Sequence, residues 1–405
     1  MDPAVVAVFV FVYLGMILGK IPGLAMDRTG IALLGAIFLL ADGKIQLEDA
    51  WRSIDVQTIA LLLGLMVLSA QFRLGGFYAH LTRRLGTMNV SPTVFLALLI
   101  LSSGLLSALL ANDIVCLAMT PVLVEACARR GLDPIPFLLA LACSSNVGSA
   151  ATLIGNPQNM LIGQTLGLSF AGYSLDAAVP VLLGLVSVWY VINRQSRGTW
   201  IKETLVPSVE TPPFDAWQTG KAVLVLCTLV GLFLFTQLPR DVLALAAAGW
   251  LLSSRQVSSR RILGLVDWQL LVLFSGLFVV NHVLAVSGNL ERMMRAVCST
   301  GINICAPEWL FGVTVLLSNL VSNVPATMLL LPVATHPMAG PILALSSTLA
   351  GNLLIVGSIA NIIVVEQARN YSVRITWKDH ARVGVPVTLI TLLIAAAWLW
   401  LQTLI

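Results

Sequence analysis

The sequence predicts an all-α polytopic membrane protein, built from two inverted repeats that each contain five transmembrane helices and one re-entrant hairpin. Three observations lead to this fold class. The composition is too apolar for a soluble domain, twelve apolar runs approach the length of a membrane span, and the two halves of the chain share an ordered set of polar residues. In each half we also expect one helix that is broken at the membrane midplane.

The composition alone excludes several classes of protein. The 405 residues are 58% hydrophobic and 10% charged, with a mean hydropathy of +0.92. Soluble domains carry about 25% charged residues, so a soluble globular protein, a disordered chain and a nucleic-acid binder are all excluded. The first apolar run lacks a basic segment and a cleavage site, and we interpret it as the first span rather than a signal peptide.

The apolar runs are close in length to the ~20 residues that a helix needs to cross a bilayer. They are residues 4–19, 28–41, 56–72, 92–128, 136–168, 174–193, 221–237, 241–254, 267–285, 306–334, 341–365 and 383–404. Four of them carry Gly, Pro, Asn and Ser in their middles, and such residues break or unwind helices. The backbone freed in this way is tolerated at membrane depth only where protein or water satisfies it. We interpret 92–128 and 306–334 as re-entrant hairpins, and 136–168 and 341–365 as helices broken midway.

Lys and Arg residues divide unevenly between the two sides of this topology. The poorer side takes only Lys44, Arg52, Arg240, Arg292 and Arg295 of the 23, and the richer side takes all the others, from Lys20 to Arg382. The positive-inside rule makes the richer side cytoplasmic. The protein is therefore predicted to lie in a bacterial inner membrane with both termini in the periplasm.

An internal repeat relates the two halves. The matching segments are Asp55-Val56-Gln57 with Asp267-Trp268-Gln269, Ser107 to Pro121 with Ser318 to Pro332, and Ser144-Ser145, Gly155 and Asn159 with Ser346-Ser347, Gly357 and Asn361. Five crossings per half force the repeats to be inverted. Inverted repeats with paired broken helices point to a secondary transporter whose site lies at the midplane.

The first hairpin tip carries Asp113, the most deeply placed carboxylate of the chain. A carboxylate at the centre of a span costs about 2.5–3.5 kcal/mol on insertion scales, so we expect Asp113 to serve proton or cation coupling. The alternative is that Asn112 or Asp113 caps the second arm of the hairpin. The second tip has Val324 at the matching position, so this acid has no counterpart there.

Amides, hydroxyls and glycines surround both tips and both breaks. Buried Asn side chains must find partners, which favours a substrate site, whereas lone serines are also typical of tight helix packing. The candidate substrate-binding residues are Asn112, Ser145, Asn146, Ser149, Asn156, Ser322, Asn323, Thr348 and Asn352. The residues expected to break the helices are Gly148, Gly155, Pro157, Gly351 and Gly357.

No Lys or Arg lies in these core segments. These segments are therefore better suited to bind a neutral polyol-like or oxo species, or a bare cation beside Asp113, than a multiply charged anion. Cys116 and Cys143 lie beside the site, where a thiophilic substrate would reach them, although small-residue packing also accounts for them.

Neither a cofactor nor an enzymatic activity is expected. The six cysteines form no Cys-x-x-Cys motif and no Cys/His cluster, so neither a disulfide framework nor a metal site is predicted. No Ser/His/Asp set lies at depth, and His282, the one histidine well inside a predicted span, is interpreted as a packed or interfacial side chain. The chain has no Walker-type loop, so an ATPase would have to be a separate soluble partner.

The run from Leu110-Ala111-Asn112-Asp113 to Thr120-Pro121, followed by Gly155-Asn156-Pro157-Gln158-Asn159, resembles the ion transporter superfamily over nearly the whole chain. That group includes arsenite efflux permeases, sodium/proton antiporters and sodium-coupled dicarboxylate or sulfate carriers. The Ala-Asn-Asp…Thr-Pro string is similar to that of arsenite permeases, whereas Gly-Asn-Pro-x-Asn is shared with anion permeases. The dicarboxylate branch has Ser-Asn-Thr at both tips, and neither tip here keeps the Thr.

The resemblance implies two domains and an elevator mechanism. A scaffold of residues 1–90 and 221–300 would form a homodimer, and a transport domain of residues 91–193 and 301–405 would move against it. Residues 194–220 form the expected cytoplasmic linker. Short amphipathic stretches, 75–84 and 288–295, follow the third span of each half and are expected to lie along the membrane interface as arms between the domains.

The leading hypothesis is a secondary transporter that exports arsenite or antimonite in exchange for protons, with Asp113 as the proton carrier. A sodium-coupled permease for a small oxyanion or dicarboxylate stays open, as does a sodium/proton antiporter in which Asp113 and backbone carbonyls hold the ion. A passive channel would not need the paired hairpins. The expected partners are a small inorganic solute, protons or sodium, and the lipid bilayer, and no nucleic acid.

Overall fold

The computed structural model describes residues 2–19, 26–202 and 209–404. Lys20, which the orientation analysis assigns to the cytoplasmic side, and residues 203–208 of the expected linker, including Pro207, lie outside the described residues. The described residues form twenty α-helices and two short 3₁₀ turns. This architecture confirms the all-α prediction.

Both halves contain the same succession of long and short helices. The helices of the first half are α1 (Pro3–Leu18), α2 (Arg28–Ala41), α3 (Leu47–Ser53), α4 (Val56–Leu74), α5 (Phe77–Thr87), α6 (Pro92–Leu109), α7 (Asn112–Arg129), α8 (Pro134–Ser149), α9 (Pro157–Thr165) and α10 (Phe170–Gln195). The helices of the second half are α11 (Ala216–Phe235), α12 (Arg240–Leu252), α13 (Ser259–Leu263), α14 (Trp268–Val286), α15 (Asn289–Ser299), α16 (Pro307–Val321), α17 (Asn323–Leu330), α18 (Ala339–Ala350), α19 (Ile359–Asn370) and α20 (Trp377–Gln402). Each helix of the first half has its counterpart ten helices later, α1 in α11 and so on to α10 in α20, so the repeat includes every α-helix.

Six helices are long and apolar enough to cross a membrane: α4, α6, α10, α11, α14 and α20. The amphipathic stretches form α5 and α15, and each begins immediately after a glycine. Gly76 has a φ of +67° and Gly288 a φ of +69°, a left-handed conformation that glycine adopts without steric cost. The same sharp turn therefore directs the chain into α5 and into α15.

The two predicted hairpins each enter and leave on one side. The Arg130 guanidinium after α7 donates to the Val90 carbonyl before α6, and it lies 4.6 Å from the centre of the Phe95 ring. In the second hairpin, the Cys305 sulfur before α16 lies 3.9 Å from the Val333 carbonyl oxygen after α17. Since the two ends of each segment meet, both segments are re-entrant hairpins.

The two predicted helix breaks are also present. The first runs from the end of α8 to Pro157, which occupies the first position of α9, where its missing N–H is not needed. The second runs from the end of α18 to the start of α19. Gly155 lies in the first break, while Gly351 and Gly357 lie in the second. These four residues are where the sequence analysis expects them.

Gly148 does not lie in the break, which differs from the expectation. It lies in the last turn of α8, and a Cβ built on it would lie 2.6 Å from the carbonyl carbon of Gly104 on α6. The absence of a side chain at Gly148 therefore lets the first hairpin arm pack closely against α8. Its role is in helix packing rather than in unwinding the helix.

The repeats interlock through their second and fourth helices, because α4 packs on α12 and α2 packs on α14. A Cβ on Gly64 would lie 2.6 Å from the backbone of Ala244, and a Cβ on Gly276 would lie 2.9 Å from the backbone of Ala32. The two glycines occupy equivalent positions in the repeats, and so do the two alanines. The same close backbone approach is thus used at both contacts.

A methyl group at Gly64 is expected to weaken the contact between the repeats. Gly64→Ala sets a Cβ against the Ala244 backbone, and overpacking of this kind costs about 1–3 kcal/mol. Gly231→Ala in α11 is the matched control, because nothing lies within 4 Å of a Cβ there and Ala is favoured over Gly inside helices by about 0.5–1 kcal/mol. Thermal unfolding in detergent should give a lower midpoint for Gly64→Ala only. Equal midpoints would contradict the close approach.

Candidate functional site

Each hairpin tip contacts the broken helix of its own repeat. The backbone N–H of Asn112 at the first tip donates to the Gly155 carbonyl at 3.3 Å. At the second tip, the carboxamide of Asn323, in the orientation that satisfies its neighbours, donates to the Gly357 carbonyl at 3.2 Å. Gly155 and Gly357 are equivalent in the repeats. The two tips and the two breaks therefore meet in the interior of the protein.

Asn146 is the centre of a buried hydrogen-bonded group that joins the repeats. Its Nδ2 donates to Asn352 Oδ1 at 2.9 Å and to Asn361 Oδ1 at 3.1 Å. Its Oδ1 accepts from Ser358 Oγ at 2.8 Å and from Asn112 Nδ2 at 3.4 Å. We call these five residues the amide cluster. They come from the first tip and from both broken helices.

A second polar group connects the first break to α18 and to the second tip. Asn156 Nδ2 donates to Ser149 Oγ at 2.9 Å and to Thr348 Oγ1 at 3.3 Å. Gln158 Nε2 lies 3.2 Å from Thr348 Oγ1 and also 3.2 Å from the carboxamide oxygen of Asn323. The second tip is thus held to residues of the first broken helix, across the boundary between the repeats.

Ser145 serves mainly to attach the first hairpin to α8. Its hydroxyl lies 2.7 Å from Ser107 Oγ on α6 and donates to the Asn112 carbonyl at 3.2 Å. Ser103 and Ser144 form a parallel pair at 2.6 Å. These hydroxyl pairs explain how two apolar helices are aligned next to a polar site.

Side chains of the broken helices satisfy the backbone carbonyls that the breaks release. Asn159 Nδ2 donates to the Thr152 carbonyl at 3.1 Å, and the equivalent Asn361 Nδ2 donates to the Leu354 carbonyl at 3.1 Å. Backbone groups freed at membrane depth need such internal partners. Each of these two carbonyls therefore already accepts a hydrogen bond from a side chain of its own repeat.

Tyr173 and His380 provide a further, matching pair of contacts. Tyr173 OH donates to the Ala150 carbonyl at 2.7 Å, and His380 Nε2 lies 3.0 Å from the Asn352 carbonyl oxygen. Ala150 and Asn352 are equivalent positions, and so are the starts of α10 and α20 from which the two rings project. His282, which the sequence analysis places inside a span, is exposed, whereas His380 is 1% exposed.

Two buried polar atoms of the amide cluster have no partner within the described part of the chain. One is Asn112 Oδ1, a hydrogen-bond acceptor, and the other is Asn352 Nδ2, a donor. Buried polar groups without partners are uncommon and call for an explanation. One acceptor and one donor are together the two hydrogen-bonding capacities of a hydroxyl group. The amide cluster thus keeps one acceptor and one donor without partners, and none of its five side chains is charged.

Asp113 lies next to the amide cluster and faces a separate cavity of about 180 Å³. We call this space the Asp113 cavity. Its charged lining residues are Asp113, Arg73 from α4 and Asp267 from the segment before α14, and most of its other side chains are apolar, among them Met66 and Met160. The cavity separates the first tip from α4 and α14.

The capping alternative for the first tip is wrong. The residue before α7 is Ala111, and no side chain forms a cap hydrogen bond there. Asn112 and Asp113 are the first residues of the helix itself, and Asn112 donates to Asn146 rather than to the α7 backbone. Both side chains are thus available for roles other than capping.

The second tip is in direct contact with α1. Ser322 connects α16 to α17 with a φ of +77°. Tyr13 OH on α1 lies 3.3 Å from the Pro325 carbonyl oxygen and 3.0 Å from Asn281 Oδ1 on α14. The two tips, equivalent in sequence, therefore have different environments in this structure.

The structure brings eight of the nine candidate substrate-binding residues into the two polar groups or the hydroxyl pairs, and the ninth, Ser322, lies at the second tip. The sequence analysis did not select Gln158, Asn159, Ser358, Asn361, Tyr173, His380, Arg73 or Asp267. The repeat itself pointed to Asn159 and Asn361, which match in sequence. Arg73 and Asp267 lie at helix ends, where nothing in the sequence indicates contact with a hairpin tip.

Comparison with known proteins finds one transporter family and several proteins that are named as transporters. Residues 12–343 match the sequence pattern of the family described as citrate transporters, CitMHS. An uncharacterized transporter of Mycobacterium tuberculosis is 28% identical over 93% of this chain and 94% of its own. The silicon efflux transporter LSI3 of Oryza sativa is 29% identical over 92% of each chain.

Two more distant similarities extend the comparison. The putative transporter arsB of Dictyostelium discoideum is 25% identical over 92% of this chain and 87% of its own. The crystal structure of the Alcanivorax borkumensis YdaH transporter matches with a TM-score of 0.61 over 99% of this chain and 98% of that one, at 14% identity. At this identity the match concerns the fold alone.

Replacing Asn146 is expected to destabilise the protein strongly. Asn146→Ala removes partners from Asn352, Asn361 and Ser358 at once, and each buried polar group left unpaired costs about 1–3 kcal/mol. The control is Asn193→Ala, another buried Asn, which accepts one bond from Thr93. Denaturation in detergent should show at least twice the loss of unfolding free energy for Asn146→Ala. Similar losses would show that Asn146 is not the centre of the network.

Removing the Tyr173 hydroxyl is expected to loosen the first break. Tyr173→Phe leaves the Ala150 carbonyl without its donor, a loss of about 1–3 kcal/mol. Tyr190→Phe is the control, since Tyr190 projects from the same helix and is 52% exposed. Hydrogen–deuterium exchange of residues 150–156 should be roughly tenfold faster in Tyr173→Phe and unchanged in Tyr190→Phe. Unchanged exchange in both variants would exclude this support.

Proposed function

Since the chain belongs to the citrate transporter family of membrane transporters, we propose that it is a secondary active transporter that exports arsenite or antimonite in exchange for protons. The observation that carries the proposal is the amide cluster, which offers an unpaired acceptor on Asn112 and an unpaired donor on Asn352 and contains no charged side chain. The names of the rice and Dictyostelium relatives, silicon efflux transporter and putative transporter arsB, support export of this kind of solute.

The chemistry of the solute agrees with this group of side chains. Arsenite at neutral pH is an uncharged trihydroxide, and each of its hydroxyls can donate one hydrogen bond and accept others. Carboxamides provide both capacities without the desolvation cost of a buried charge. A charged solute would instead need a compensating charge, and the amide cluster has none.

Proton coupling is assigned to Asp113. Its carboxyl group faces the Asp113 cavity rather than the amide cluster, so it can change its charge without contacting a neutral solute. Exchange of one proton for one neutral solute yields about 2.3 kcal/mol per 100 mV of membrane potential and about 1.4 kcal/mol per unit of pH difference. This is sufficient for more than tenfold accumulation without ATP.

We further propose an elevator movement of residues 91–193 and 301–405 against a scaffold of residues 1–90 and 221–300, which would form the homodimer. In support, the hydrogen bonds of the amide cluster and of the second polar group all join residues of the moving part. The open Asp113 cavity beside the first tip and the docked second tip support a state that faces the cytoplasm. The protein would lie in a bacterial inner membrane with periplasmic termini and with residues 194–220 as cytoplasmic linker.

The second candidate is a sodium-coupled permease for a small oxyanion or a carboxylate such as citrate. Two observations favour it: the description of the matching family and the presence of Arg73 in the Asp113 cavity, where it can attract an anion. A sodium/proton antiporter receives less support, because the carbonyls of the breaks already accept hydrogen bonds from Asn159 and Asn361.

Export is tested in everted membrane vesicles whose lumen is made acidic, so that protons flow outward while arsenite enters, and which contain no sodium. Wild type should accumulate arsenite, and a protonophore should abolish the accumulation. Asp113→Asn, which cannot carry a proton, should accumulate at least tenfold less. The control is Asp176→Asn, which replaces a carboxylate of α10 that accepts a hydrogen bond from Gln402 and does not line the Asp113 cavity. Its arsenite accumulation should stay within twofold of wild type.

The outcomes separate the candidates. Full activity of Asp113→Asn, or accumulation that resists the protonophore, would exclude the proton role. If wild type does not transport arsenite but takes up citrate or a small oxyanion when sodium is added, the second candidate replaces the first.

A further inference from the structure

The Asp113 cavity contains more charged groups than proton binding at Asp113 requires. Asp267 is the N-cap of α14, where it accepts the Leu270 N–H at 3.0 Å, and Arg73 lies in the last turn of α4. Both line the same cavity as Asp113. The elements that close the remaining sides are α9 and α19, and they contribute the apolar side chains of Pro157, Met160 and Ile363.

The position of these groups gives the cavity a direction. The end of α4 and the start of α14 both lie at the face that the Lys and Arg distribution predicts to be cytoplasmic. Along α4 the lining extends from Leu62 to Arg73, which at 1.5 Å per residue is about 16 Å. The cavity therefore extends from that face to Asp113 at the first tip. At about 180 Å³ it has room for several water molecules.

The arrangement of two carboxyl groups on one cavity is not repeated at the equivalent positions of the other half. The position equivalent to Asp267 is Asp55, which caps α4 at its opposite end by accepting the Thr58 N–H at 3.0 Å. Asp55 does not line the Asp113 cavity, and the second tip has Val324 where the first has Asp113. Asp55 and Asp267 are thus equivalent helix caps, but of the two only Asp267 lines the Asp113 cavity.

Other titratable groups around α7 lie away from this space. The thiols of Cys116 and Cys143 are buried and do not line the cavity. Glu125, near the other end of α7, is paired with Arg83 at 3.2 Å and with Arg129 at 2.8 Å. Asp267 and Arg73 are accordingly the charged groups that share the cavity with Asp113 in the described structure.

We propose that the Asp113 cavity is the cytoplasmic proton pathway of the transporter and that Asp267 is its second proton-carrying residue. The proton leaves the Asp113 carboxyl group, passes through water to the Asp267 carboxylate, and is released to the cytoplasm. Arg73 lines the same cavity and places a positive charge on the path between the two carboxyl groups and the cytoplasmic face. The inference rests on the proposed function, since it presupposes coupling through Asp113.

The first test compares Asp267→Asn with Asp55→Asn, two variants that keep a good N-cap because Asn caps helices as well as Asp. Proton-driven arsenite accumulation in everted vesicles should fall at least fivefold in Asp267→Asn, and its dependence on cytoplasmic pH should shift. Arsenite exchange between equal concentrations on both sides, without a proton gradient, should stay within twofold of wild type. Asp55→Asn should behave as wild type in both assays.

Each outcome is informative. Equal net transport by the two variants, or an equal loss of exchange and net transport in Asp267→Asn, would overturn the role of Asp267 while leaving the proposed function in place. Failure of wild type to use protons would overturn the proposed function, and the present inference with it. The two failures are distinguished by the wild-type measurement.

A second test examines the pathway without any solute. Ile114→Cys places a thiol in the cavity wall, and Val324→Cys, at the buried second tip, is its matched control. Both are built in a chain whose exposed Cys227, Cys298 and Cys305 are replaced by Ser. A membrane-impermeant maleimide should label Ile114→Cys at least tenfold faster in everted than in right-side-out vesicles. Val324→Cys should not be labelled in either kind of vesicle. Equal or reversed rates at residue 114 would overturn the cytoplasmic pathway.

Discussion

The interior of this protein depends on one constraint: a helix that is broken at membrane depth must find hydrogen-bond partners for the backbone groups it releases. Both breaks meet this constraint in the same way. Asn159 and Asn361 turn their carboxamides back onto carbonyls of their own breaks, and Tyr173 and His380 bind the carbonyl of the matching residue in each repeat. The breaks are therefore rigid structures, held by side chains from the flanking helices.

With the backbone satisfied, other side chains are free to form a site. Asn146 connects the first tip to the second broken helix, and the second tip is held to the first broken helix through Gln158. Because each tip is joined to both repeats, the two tips and the two breaks form one continuous polar group. A body of this kind can move as a unit past the rest of the protein, which is what an elevator mechanism requires.

Symmetry and its violation have separate roles here. The pairs Gly64 and Gly276, and Tyr173 and His380, occupy equivalent positions and perform equivalent structural tasks. Asp113 has no such partner, because Val324 takes its position at the second tip. The repeated architecture provides two related hairpin tips, and only one of them carries a carboxyl group. Coupling to protons would thus arise from a difference between the repeats and not from their similarity.

The sequence by itself determined the class of the protein, the two hairpins, the two breaks and most of the polar residues that line them. These features are local, because hydropathy, Pro, Gly and Asn act on the segments that contain them, and the repeat doubled every signal. Only the tertiary structure decided that Gly148 serves packing, that Ser145 attaches the hairpin to α8, and that Arg73 and Asp267 reach the space in front of Asp113. These assignments depend on which helices become neighbours, and the packing of α4 and α14 against a tip far away in the chain leaves no periodic or compositional signal in the residues themselves.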